Sequence, residues 1–198
     1  MAIALPTCPL PNVMTPMLRD FGGILSPFKG GPEQRINRIG TRFAVRYQMP
    51  EMDGEDARAF VARLLRASQS TALMPWPITD FDPGTPGTPS ISTPASGGSA
   101  IAVKDLMAGY TVSEGQFFSV IHGGRRYVHM STGDVTANGV GAAVLSIFPP
   151  LRTALSTNDP VEMAAPMIEG SVSPGDNISW EVALELDTAI SFIISETK

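Results

Sequence analysis

Between Arg35 and Gln69 the hydrophobic pattern changes period once, and that switch constrains the fold more than any other feature of the chain. Phe43, Val45, Tyr47 and Met49 alternate with Arg42, Ala44, Arg46 and Gln48, the repeat of a half-buried β-strand. After Pro50, Ala57, Phe60, Val61, Leu64 and Leu65 recur at the spacing of one helix face. The strand is expected over 36–49. Its parity slips between Ile39 and Phe43, where Gly40 would serve a bulge. The helix is expected over 54–67, with Asp53 as N-cap, Asp56 as the acid of a near capping box, and Glu55 and Arg66 complementing the dipole. A helix with one apolar stripe must lie on a sheet, so Phe43, Val45, Tyr47, Phe60 and Leu64 are core packing candidates.

The C-terminal segment supplies the second strong strand signal. Ile178, Trp180, Val182, Leu184 and Leu186 share one parity, which Ile190, Phe192 and Ile194 keep. Trp180, Leu184 and Phe192 therefore join the packing candidates. The segment reads as one long strand or a pair joined at Asp187-Thr188, and its natural partner is the strand Phe43 to Met49.

Proline and glycine punctuate the rest. Residues 1–24 form an extended arm rich in proline, and 83–99, "PGTPGTPSISTPASGGS", reads as a linker with too few apolar residues to bury. In 100–165, "QFFSVIHGGRRYVHM" reads as strand, turn and strand with Gly123-Gly124 at the reversal, and "GVGAAVLSIFPPL" as a further strand. The expected class is mainly β (α+β): a β-sandwich or split-barrel core from 25–82 and 166–198 with one packed helix, enclosing a small β-module at 100–165.

Little in the chain points to catalysis. His122 and His129 flank the predicted hairpin and read as a turn histidine and a strand-face histidine. Cys8 is the single cysteine, so a disulfide framework or thiolate cluster within the chain is excluded. No glycine pair matches a phosphate-binding loop in a strand-to-helix setting, and capping explains Asp53 with Asp56. No segment supplies nucleophile, base and oxyanion donors together, so no catalytic, cofactor or metal residue is assigned and a non-enzymatic role is expected. Tyr110, Phe117, Phe118 and Tyr127 could form a sugar-binding platform, but the alternation around Phe117 favours a buried strand.

Charge narrows the partners. A net charge of −5 with pI near 5.0 disfavours nucleic acid. Through Ser70, one Lys and eight Arg face six acids, a net of +3 that leaves −8 for the remainder. That polarity suits head-to-tail association of identical copies. Charged residues are only 17% of the chain, which fits burial against neighbours. The start, "MAIALPTCPLP", lacks the pattern of a signal peptide, and no apolar run reaches membrane-spanning length, so a soluble cytosolic product without membrane insertion is expected.

Three stretches resemble a known family. "GGPEQRINRIGTRFAVRYQMPEMDGEDARAFVARLLRASQSTALMPWP" is similar to the start of tail-tip proteins of long-tailed bacteriophages. "VSEGQFFSVIHGGRRYVHM" with "DVTANGVGAAVLSIFPPLR" resembles the inserted module of distal tail proteins, and "WEVALELDTAISFIIS" resembles the closing strands of the smaller lambda-like tail-tip proteins. The resemblance covers roughly residues 25–198 and lies in patterns of structure. It implies a hexameric ring at the end of the tail tube, contacting the tube protein and the tip hub or receptor-binding apparatus, made in the host cytoplasm and carried in the virion. A tail-tube subunit and a carbohydrate-binding adhesin module are the alternatives.

Overall fold

The computed structural model describes residues 2–78, 80–172 and 190–197. The chain opens with β1 (Ala2–Ala4), β2 (Val13–Arg19) and a hairpin of β3 (Gly23–Leu25) and β4 (Gln34–Ile36), then continues through β5 (Arg42–Gln48), α1 (Gly54–Ser68) and β6 (Thr71–Pro75). Eight strands follow: β7 (Gly87–Ile91), β8 (Ala100–Leu106), β9 (Thr111–Val112), β10 (Phe117–His122), β11 (Arg125–Ser131), β12 (Val135–Thr136), β13 (Ala143–Phe148) and β14 (Val161–Glu162). β15 (Met167–Val172) and β16 (Ser191–Glu196) complete the order. The protein is mainly β with one helix among the described residues, as the sequence leads one to expect. That helix is too short and polar to cross a membrane.

The first sheet runs β1-β6-β15-β16-β5-β2, so strands from both ends of the chain share it. β16 lies antiparallel to β5 with Phe192 opposite Tyr47 and Ile194 opposite Val45, the pairing expected from their shared alternation. Phe43, Val45 and Tyr47 project to one face, as do Phe192 and Ile194. At one end of this face Tyr47 stacks on Phe192 at 5.4 Å, and Phe60 of the helix meets the same ring at 5.7 Å. Ala57, Phe60, Leu64 and Ala67, spaced three and four residues apart, are the buried stripe of α1, whereas Leu65 is 42% exposed at its margin. Asp53 occupies the N-cap position without a side-chain capping bond, so the expected capping box is absent; Glu55 and Asp56 still lie at the positive end of the dipole.

The second sheet runs β14-β10-β11-β13-β8-β7. Its ends nearly meet. Ile91 N–H donates to Asp159 O at 2.9 Å, Asn158 N–H donates to Ile91 O at 2.8 Å, and Ser90 bridges Pro160, so the sheet curls into an almost closed barrel. A separate core of Ile91, Val103, Phe118, Val120, Leu145 and their neighbours fills it. β10 and β11 join through Gly123 and Gly124, with φ of +58° and +76°; positive φ at both positions defines the tight two-residue turn that glycine permits.

Three expectations are corrected. Residues 83–99 are not a linker, because β7 lies within them and Ala95, Gly98 and Ser99 are hydrogen-bonded to Leu155, Leu151 and Ile147. Within β7 only Pro89 and Ile91 are buried, so backbone pairing contributes much of the hold on this edge, and Pro89 falls where the β7–β8 register shifts and no ladder N–H is needed. Residues 1–24 are extended, as expected, but belong to the core sheet and are not an arm apart from it: β1 pairs with β6, β2 pairs with β5, and Leu5 is buried in the first core. Pro16 is tolerated because β2 is the outermost strand. Finally, 36–49 is not one bulged strand, since Ile39 and Gly40 form a turn between β4 and β5.

Candidate assembly surface

Six of the packing candidates, Phe43, Val45, Tyr47, Phe60, Leu64 and Phe192, lie in the first core and hold the scaffold together rather than meeting a partner. Trp180 and Leu184 lie outside the described residues. Phe43 marks where the barrel docks on the first sheet. Its ring meets Trp76 at 5.3 Å, Phe117 at 5.4 Å and Phe148 at 6.3 Å, all edge to face.

A carboxylate beside Phe43 completes this junction. Glu196 continues the inward row of Phe192 and Ile194. Its Oε2 accepts from Phe43 N–H at 2.9 Å; its Oε1 accepts from Val128 N–H of the barrel at 2.7 Å and from Arg152 Nη2 at 2.8 Å. The Arg152 and Glu196 side chains are 2% and 1% exposed. Burial pushes the Glu196 pKa up against the pull of Arg152 and the two amides. Arg152 also lies over the Tyr127 ring at 5.5 Å. Glu196 was readable as a core position from its parity with Ile190, Phe192 and Ile194, but a charged residue near the end of the chain suggests a solvated tail.

The remaining polar candidates are structural in their surroundings. His129 is fully buried, its Nδ1–H donates to Pro149 O at 3.0 Å, and burial followed by the Arg152 charge lowers its pKa to about 4. His122 bonds Asp159 at 2.7 Å beside the barrel seam. Tyr127 is buried and Tyr110 is half-buried, with its hydroxyl donating to Pro83 O at 2.8 Å and accepting from Gln116 Nε2 at 2.9 Å; neither ring stands clear as an exposed platform. Among the described residues no group of three or more His, Cys, Asp or Glu could hold a metal ion.

The exposed apolar surface is concentrated elsewhere. Nine of the fifteen exposed large hydrophobic side chains among the described residues lie between Leu10 and Ile39, six of them on β2 and the β3–β4 hairpin. They include Ile24, Leu25 and Phe28, the last fully exposed. Patches of this kind mark interaction sites. The hairpin that presents them is built. Asp20 accepts from Gly22 N–H at 2.8 Å, from Thr41 Oγ1 at 3.0 Å and from Arg35 at 3.3 Å, and these bonds, the Gly22 amide foremost, hold its carboxyl below the usual range. Ser26 Oγ donates to Glu33 at 2.9 Å, Gly30 N–H closes a turn on Pro27 O at 3.1 Å, and Arg42 stacks over Phe21 at 4.8 Å.

Where the first sheet meets the barrel mouth, a cavity of about 400 Å³ opens between Pro16, Trp76, Ile78, Phe81, Phe117 and Met163, with Glu114 at its rim. The indole N–H of Trp76 is buried with no acceptor among the described residues. No protein-family model matches this chain, and no curated protein matches it. The surface itself is then the guide to function: a two-part scaffold with a concentration of exposed apolar side chains on a hairpin and an edge strand.

Proposed function

We propose that the protein is a structural virion component that assembles into a ring, of six copies, at the distal end of a phage tail, joining the tail tube to the tip hub or receptor-binding apparatus. The observation that carries this reading is the clustering of exposed apolar side chains on β2 and the β3–β4 hairpin, which a monomer would have to leave in water. An outermost strand with an open edge favours the same association. The likeness of three stretches to tail-tip proteins supplies the setting. The barrel, carried between β6 and β15, gives each subunit a part separate from the sheet bearing the apolar strand, suited to meeting different neighbours on the two faces of a ring. Negative-stain imaging of the purified chain tests this: rings with a central channel are expected, stacking into long tubes would indicate a tube subunit, and isolated particles of one chain at high concentration would contradict the reading.

A further inference from the structure

We infer that the cavity at the sheet–barrel junction is the socket for Phe28 of a second copy of this chain. The inference rests on the ring-subunit reading and specifies the contact by which one subunit holds the next.

Phe28 is fully exposed, on a hairpin that the Asp20 bonds and the Ser26–Glu33 bond keep in shape. It does not occupy the cavity of its own chain. The cavity is apolar, and its volume lies within the roughly 300–1,000 Å³ of ligand pockets, enough for a phenyl ring with the adjoining Pro27.

Charge favours the same occupant. Lys29 follows Phe28 at the hairpin tip, and Arg38 lies just beyond β4. Acidic groups accompany the lining: Glu114 is part of it, its own N–H donates to the Asp134 carboxylate at 2.7 Å, and Asp80 and Asp82 flank the lining residue Phe81 in sequence. Hairpin tip and socket are different patches of one surface, so the contact is heterologous and propagates head to tail until rotation closes it.

Site-specific cross-linking tests the contact. In full-length protein carrying Cys8→Ser, one preparation also bears Lys29→Cys and another Glu114→Cys; the two are mixed under mild oxidation and resolved on a non-reducing gel. The expected result is a covalent two-chain band about tenfold above that formed when Val140→Cys replaces Glu114→Cys, because a disulfide requires Cα atoms within about 7 Å. Adding Phe28→Ala to the Lys29→Cys chain should return the yield to that control. A yield equal to the control from the start overturns the socket. Light scattering on the unoxidised mixture separates the two readings: assembly without the cross-link leaves the ring and removes the socket, whereas neither assembly nor cross-link removes both.

Discussion

Glu196→Ala is the most informative single change to the scaffold. The substitution removes the acceptor of the Phe43 and Val128 amides and the counter-charge of Arg152, three bonds of 2.7 to 2.9 Å at a point where both side chains are almost wholly buried. Leaving a buried amide unpaired costs about 1–3 kcal/mol, and stripping one partner from a buried ion pair costs about 3–5 kcal/mol. These losses overlap, since one carboxylate serves all three donors, so the expected destabilisation is about 4 kcal/mol. Against a typical total of roughly 5–15 kcal/mol, that brings the fold close to its limit. Urea unfolding at pH 7 measures it, and a cycle with Arg152→Met separates the ion pair from the amides. A loss below about 1 kcal/mol, the worth of an exposed pair, would refute the junction as described.

Three further outcomes are expected. His129→Asn should flatten the acid side of the stability profile: the folded pKa of about 4 lies below the unfolded 6.5, so this contribution is complete above pH 6.5 and is lost as pH falls toward 4. At about 1.4 kcal/mol per pH unit the difference between wild type and variant should reach roughly 3 kcal/mol, and parallel urea-melt profiles from pH 7 to 4 would contradict it. Gly170→Ala should cost more than an ordinary strand substitution, because a Cβ there would collide with the Ser195 backbone across β15 and β16; an unchanged melting temperature would show that the strands part freely. Deleting residues 1–19 should lower stability by at least about 2 kcal/mol through exposure of the surface that Leu5, β1 and β2 cover, and a truncated chain with the wild-type melt would return this segment to the status of a loose arm.

Legibility in the sequence followed how each element is held. β5, β16 and α1 bury one face, so alternation and helical spacing announced them, and even the β5–β16 pairing followed from two strands needing the same cover. The Gly123-Gly124 turn was readable because few other residues take positive φ at both positions. β7 and β2 were hidden because edge strands are held by backbone bonds, which side-chain composition does not report, and because proline is acceptable there. The packing candidates proved to be scaffold. Phe28 is apolar and surrounded by Pro27, Lys29 and Gly30, which reads as loop chemistry; only the folded hairpin shows that nothing covers it. The Glu196–Arg152 pair is long-range, and no local pattern joins 152 to 196.

The central claim is that the hairpin's exposed apolar side chains drive self-association. Its most direct test is the mass in solution, by light scattering, of wild type beside Ile24→Asp/Leu25→Asp/Phe28→Asp, with melting temperatures recorded for both. The account predicts a wild-type mass several times 21.0 kDa and a variant that melts as wild type but has the mass of one chain. Equal masses for the two proteins, whether both assembled or both single, would contradict it.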